Sequence, residues 1–216
     1  MEKIELDSKI FGFDVYRATQ IEKWLPGLTY LILDTKTPGL PYFDEKVELE
    51  LDLSEDHTYS LFMDKVYFLD HENNQITIYE SMKQLEKLAI LAGKCSRFYL
   101  DKHTAPNADQ MHKIWIRNHV FYKTYLTLVI YDEERIVALL ALQDERISLL
   151  SRLPEYRKQG LAHALISSAI RELKEMGYKT MKVATQRRNV SALALYKAMG
   201  FKEVGSKFID HIWKES

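Results

Sequence analysis

The chain has 216 residues, 46% hydrophobic and 28% charged, with 30 Lys and Arg facing 31 Asp and Glu. That length makes one ordinary domain or two small ones sharing a core. The composition is too apolar for disorder, and the charge balance lacks the basic excess of a free nucleic-acid binder. Cys95 is the only cysteine, so no intrachain disulfide can form, and a reducing, cytoplasmic setting fits. Cys95 itself reads as a small, partly buried filler. Met1-Glu2-Lys3-Ile4-Glu5 is too charged for a signal peptide. The longest apolar run, about seven residues from Ile136 to Leu142, suits a buried strand and is too short to span a membrane.

From Ile4 to about Ile78 the pattern predicts short strands divided by turns. Leu28 to Leu33 is apolar and β-prone, Pro38-Gly39 breaks the chain, Val47 to Leu53 alternates strictly, and Asn73-Asn74 reads as a turn. Helical spacing begins near Ser81, with Leu85, Leu88 and Ala89 on one face, and a second helix fits Ala108 to Phe121. Leu126–Tyr131, Ile136–Leu142 and Ile147–Leu153 then read as three strands. A helix follows from about Gly160 to Met176, stopped by Gly177, then a strand from Thr180 to Gln186. A helix from Asn189 to Met199, capped by Asn189 and ended by Gly200, leads to a last strand within Val204–Trp213. Three meandering strands imply antiparallel pairing, and the crossover helix implies one parallel pair. The expected class is α/β, with a mixed sheet covered by helices.

The most informative stretch is Leu153-Pro154-Glu155-Tyr156-Arg157-Lys158-Gln159-Gly160-Leu161-Ala162, which joins a strand to a helix. Gly160 and Ala162 leave the backbone uncluttered, so successive amides can face an anion. The helix adds its unsatisfied N–H groups and positive dipole end, and Arg157 and Lys158 add formal charge. The stretch is neither a Walker A sequence nor a dinucleotide fingerprint, since both need glycines absent here. About 29 residues after Gly160 begins N-x-x-A-x-x-L-Y-x-x-x-G-F, running from Asn189 through Ala192 and Leu195-Tyr196 to Gly200-Phe201.

Together the two segments resemble the coenzyme A motif and the terminal motif of the Gcn5-related N-acetyltransferase (GNAT) superfamily, over roughly Leu126 to Trp213. The resemblance implies a mixed central sheet with a V-shaped gap between Ile147–Leu153 and Thr180–Gln186, flanked by helices. Residues 1–78 would then form a smaller strand-rich region helping to build the acceptor site, and residues 79–216 the catalytic domain that binds acyl-coenzyme A. The pantetheine arm would pair with backbone of Leu149 to Leu153, including Leu150 and Ser151. The pyrophosphate would sit on the amides of Gln159, Gly160, Leu161 and Ala162, beside Arg157 and Lys158. Asn189 would contact the arm, and Tyr196 would serve the departing thiolate. Ala162 stands where many relatives keep a second glycine.

An attacking amine must be neutral, so a base is expected. Glu145 begins the strand before the pyrophosphate loop, near where several relatives keep a catalytic carboxylate; Asp101 and His119 are the alternatives. A narrower likeness rests on Asp7-Ser8-Lys9-Ile10-Phe11-Gly12-Phe13, Ser96-Arg97-Phe98, Trp115-Ile116-Arg117-Asn118 and Val183-Ala184-Thr185-Gln186. The combination is similar to the TDP-fucosamine acetyltransferase group of nucleotide-sugar N-acyltransferases, though residues between Tyr99 and Met111 do not follow it. It implies a dTDP-linked amino-dideoxy sugar as acceptor. Arg97 would pair with its diphosphate, Phe98 would pack on sugar or thymine, and Asp101 would orient the amine. Acyl-coenzyme A is the co-substrate and no metal is called for. No nucleic acid or membrane partner is expected, and a homodimer is expected by analogy. Another amine as acceptor, or a non-catalytic module that senses acyl-coenzyme A, are the rival readings.

Overall fold

Residues 1–20, 25–36, 43–55, 66–69, 75–121 and 125–215 are described in a computed structural model. The first stretch holds β1 (Glu2–Lys3), α1 (Glu5–Phe11) and β2 (Val15–Ala18), followed by β3 (Gly27–Leu33), β4 (Asp44–Asp52) and β5 (Val66–Phe68). Three helices follow, α2 (Gln75–Gly93), α3 (Arg97–Leu100) and α4 (Ala108–Phe121). The strands β6 (Tyr125–Asp132), β7 (Arg135–Gln143) and β8 (Arg146–Arg152) lead to α5 (Leu161–Glu175), β9 (Thr180–Gln186), α6 (Val190–Ala198) and β10 (Lys202–Lys214). Pro38-Gly39 and Asn73-Asn74 lie outside the described residues.

The mixed α/β class is as read. The strands form one sheet in the order β1-β2-β3-β10-β4-β9-β8-β7-β6-β5. The meander β6-β7-β8 is antiparallel and β8 runs parallel to β9, as the crossover through α5 requires. Two features were not legible. Residues 5–11, read as part of a strand-rich stretch, form a helix that Gly12 ends in the left-handed region at φ 79°. And β4 does not pair with its sequence neighbour β3 but lies between β9 and β10. Its strict alternation is explained by that place: Val47, Leu49 and Leu51 are buried on one face.

β7 is buried along its whole middle because helices cover both of its faces, α2 on one side and α5 on the other. This main core runs from Val47 and Leu49 through Leu139 and Leu165 to Tyr196 and Phe201. A second core gathers Phe11, Val15, Leu28, Tyr30, Phe98, Ala108, Met111 and Ile209. The helix α4 serves both: Ala108 and Met111 enter the second core, Ile116 and Val120 the first. Among the described residues no helix is long and apolar enough to cross a membrane.

Gly93 closes α2 against α4. A Cβ built there would lie 2.0 Å from Nε2 of His112. That ring cannot retreat, since His112 is buried, holds the Ala108 carbonyl at 2.7 Å and packs on Tyr99 and Trp115. Gly93→Ala is therefore expected to cost about 3 kcal/mol through overpacking. In a chain of this size that is a melting-point loss of roughly 6–12 °C, read by thermal denaturation followed by circular dichroism.

Candidate functional site

β8 and β9 pair only at Arg146↔Lys182 and Ile147↔Val183. Beyond that point β8 goes on to Arg152 and β9 to Gln186 with no partner residues between them. The cause lies in β8 itself. Its register against β7 slips between Ala141 and Leu142, which leaves Ser148 as an extra residue. Such a bulge bends and re-aims a strand. The Ser148 hydroxyl donates to the Ala141 carbonyl at 3.1 Å and lies 3.5 Å from Nδ1 of His119. Of the residues read as binding the pantetheine arm, Leu149 and Leu150 are half-buried, and Ser151 and Leu153 buried. They line the side of β8 that diverges from β9.

The loop after β8 turns through a short 3-10 helix, Pro154–Tyr156, pinned by Arg135 to Glu155 at 2.7 Å and by the Tyr156 hydroxyl on Asp132. Lys158 and Gly160 then take φ of 60° and 78°, with Gln159 between them. A lysine in the left-handed region is uncommon. Two such residues in close succession turn backbone amides toward one side, the arrangement of an anion nest. Gly160 is the N-cap of α5, and no side chain caps that helix. Its first amides and its dipole thus remain available to an anion. Arg157, Lys158 and Gln159 are exposed beside it.

Across the gap, Asn189 caps α6. Its Oδ1 accepts from the Ala192 amide at 3.4 Å and its Nδ2 donates to the Thr185 hydroxyl at 3.2 Å. The cap fixes α6 on β9 and so fixes Tyr196, which is 5% exposed with its ring 5.4 Å from Phe201. Gly200, at φ 90°, ends the helix so that the Phe201 amide reaches the Tyr196 carbonyl. Burial pushes the Tyr196 phenol up, so at neutral pH it holds its proton and can donate it.

Glu145 does not begin the strand. It sits in the β7–β8 turn, one residue before β8. Its carboxylate holds Lys182 at 2.7 Å, and that hydrogen bond keeps it below the usual carboxylate range. His119 is buried on α4, with Nε2 3.4 Å from the Leu126 carbonyl. Cys95, read as a partly buried filler, is exposed.

The sheet face opposite Val47, Leu49 and Leu51 carries Asp44, Lys46 and Glu48 of β4, beside Ala184 and Gln186 of β9 and Ile209 of β10. It lies on the α4 side, where the second core begins. Here Arg97, Phe98 and Asp101 come together, but not as an open contact surface. Phe98 is a core residue, packed on the rings of Phe11, Tyr30 and Trp115. The Arg97 guanidinium lies over the rings of Tyr30 and Phe98, at 5.0 and 4.2 Å. Asp101 is buried and paired with His211, a residue the sequence reading missed. Burial would raise Asp101, but the hydrogen bonds from His211 and from the His103 amide outweigh it and hold the carboxyl low. Burial pulls His211 down, against Asp101, so its imidazole is neutral at neutral pH. Asp44, also unforeseen, is 4% exposed and pairs with Arg188 at 2.9 Å. A histidine within the terminal strand was the available signal for His211. Its partner Asp101 is remote in sequence and could not be read.

Five side-chain atoms in this cluster are buried without a hydrogen-bond partner: Tyr30 Oη, Asp44 Oδ2, Ser96 Oγ, Arg97 Nε and His211 Nε2. Each such group costs about 1–3 kcal/mol when left unsatisfied.

A bulged strand that leaves its parallel neighbour beside an uncapped helix N-terminus opens a gap in the sheet and leaves amides free to face an anion. The chain belongs to the GNAT acetyltransferases: the acetyltransferase (GNAT) domain family matches residues 101–213, more than half of it. It is 35% identical over 74 residues to human N-acetyltransferase 8B, covering 33% of this chain and 32% of that protein. It is 27% identical over 123 residues to the spore coat polysaccharide biosynthesis protein SpsD of Bacillus subtilis, covering 55% of this chain and 43% of that one. The chain thus spans less than half the length of either relative. Among solved structures, a GCN5-related N-acetyltransferase from Sphaerobacter thermophilus superposes with a TM-score of 0.55 at 11% identity, over 88% of this chain and 62% of that one. That likeness concerns the fold.

Proposed function

We propose that this chain transfers an acyl group from acyl-coenzyme A to the amine of a nucleotide-linked amino sugar, a dTDP-amino-dideoxy sugar of bacterial surface polysaccharide synthesis. The observation that carries the transfer step is the bulge at Ser148, where β8 leaves β9, ending in the nest at Lys158–Gly160. The pyrophosphate would rest on the amides of Gln159 to Ala162 and the arm along Leu150, Ser151 and Leu153. The amine attacks the thioester carbonyl, and backbone amides of β8 near Leu150 hold the oxyanion. As the carbon–sulfur bond breaks, Tyr196 gives its proton to the departing thiolate, and the attacking nitrogen loses one to solvent water, from which the phenolate regains its own. Glu145 is a poor choice to take that proton, because the ion pair with Lys182 lowers its basicity. No acyl-enzyme is required, and exposed Cys95 has no part.

The sugar acceptor is supported by the likeness of the sequence motifs to nucleotide-sugar enzymes and by the match to a polysaccharide biosynthesis protein. The test is a thiol-release assay with acetyl-coenzyme A and a panel of dTDP- and UDP-amino sugars, peptides and polyamines. Thiol release in step with amide formation, fastest for a dTDP-amino sugar, is the expected outcome. Faster transfer to peptides or polyamines would overturn the acceptor, and no transfer to any amine would overturn the reaction.

A further inference from the structure

The polar cluster beneath α3 is set back from the reaction. His211 lies two residues beyond Ile209, which pairs with Asp44, and Asp44 lies four residues before Glu48, which pairs with Ala184 at the widening gap. Six residues of extended strand are about 20 Å. An amine held at His211 or Asp101 would thus lie about 20 Å from Ala184, at the mouth of the gap where the thioester is proposed to sit. The expectation that Asp101 orients the amine is therefore replaced by a role at the far end of an extended acceptor.

The chemistry of the cluster also disfavours the diphosphate expected at Arg97. Asp101 accepts from Nδ1 of the neutral His211, which leaves Nε2 with a lone pair. Besides the Tyr30 hydroxyl, which can donate or accept, the unpartnered atoms are thus two donors, Arg97 Nε–H and the Ser96 hydroxyl, and two acceptors, His211 Nε2 and Asp44 Oδ2. All belong to residues around Tyr30. Arg97 lies 5.0 Å from its ring and His211 4.8 Å; Ser96 precedes Arg97, and Asp44 pairs with Ile209 two residues before His211. A phosphate brings acceptors only, and would meet a lone pair and a carboxylate. A ligand edge with a central N–H between two carbonyls meets both donors and the His211 lone pair.

We infer that this cluster recognises a cyclic imide edge, as in uracil or thymine, at the nucleotide end of the acceptor: Arg97 and Ser96 donate to its carbonyls, and His211, steered by Asp101, accepts from its N–H with Asp44 beside it. The assignment rests on the proposed nucleotide-sugar reaction and supplies the part of it that selects the base. His211 is held for this task from both sides, stacked on Phe43 at 4.7 Å and against Tyr30.

Calorimetric titration of the full chain with TMP, UMP, CMP and N3-methyl-TMP tests it. TMP and UMP are expected to bind, with CMP and N3-methyl-TMP weaker by about tenfold or more, the loss of one well-made hydrogen bond. His211→Phe, which keeps a ring on Phe43 and removes Nε2, is expected to abolish that preference while leaving coenzyme A affinity within about twofold, since no coenzyme contact is involved. Equal binding of all four nucleotides would overturn the inference in favour of phosphate recognition. Absence of binding by all four would mean that the cluster holds water only, and a preference that survives His211→Phe would equally overturn it. Should that variant fail to fold, Ser96→Ala takes its place, with a several-fold loss for TMP expected. A chain that binds TMP with the stated preference but not coenzyme A would sink the proposed reaction and leave this site standing.

Discussion

Tyr196→Phe is expected to lower turnover about a hundredfold and to leave coenzyme A affinity unchanged. The side chain is buried on α6, so the ring is retained and only the hydroxyl is lost. A positioned proton donor contributes roughly 10²–10⁴-fold. The lower end fits a thiolate, which is a good leaving group and needs less help than an alkoxide. Because burial raises the phenol, the wild-type group is protonated throughout the neutral range. Loss of activity in the variant should thus be uniform from pH 6 to 9. Steady-state kinetics by thiol release, with calorimetry for coenzyme A, separates the two quantities. Unchanged turnover would remove Tyr196 from the mechanism, and a parallel loss of affinity would make it a packing residue.

Gly160→Val is expected to act on the opposite term. Gly160 sits at φ 78° at the mouth of α5. A side chain in the left-handed region costs about 1–2 kcal/mol, and more for a β-branched one. It would also stand over the amides on which the pyrophosphate is proposed to rest. Coenzyme affinity should fall by about tenfold or more, each tenfold being 1.4 kcal/mol. Turnover at saturating coenzyme should fall much less. Arg157→Ala is the milder companion: its charge is exposed, so the loss should be small and should shrink further with salt. Calorimetry at two ionic strengths reads both, and an unimpaired Gly160→Val would refute the nest.

The meander, the crossover and the last helix were legible because their signals are local. Short apolar runs in β6–β8, a helical stripe ended by Gly177 and an Asn189 cap need only neighbouring residues to be recognised. The proposed coenzyme side of the site draws on the same stretches, so Lys158–Gly160 and Tyr196 could be read together. What was not legible depends on partners far apart in sequence. Nothing in Val47–Leu53 says that its neighbours are β9 and β10 rather than β3. The burial of Arg97 and Asp101 by Phe98, Tyr30 and His211 comes from three separate elements. The same holds for Glu145, whose partner Lys182 lies in β9. The helix α1 was hidden by its shortness, since seven residues carry too little periodicity to be told from a turn.

The position of β4 has a consequence for anyone who would trim the chain. Residues 101–213 match the family, yet between two of their strands lies one that they do not contain. Excising them would strip β9 and β10 of the backbone hydrogen bonds they now share with β4, and uncover two facing rows of unpaired amides and carbonyls. Such a fragment should recruit a neighbour's strand to fill the slot and sediment as aggregates. Supplying residues 43–55 as a separate peptide should reseal it.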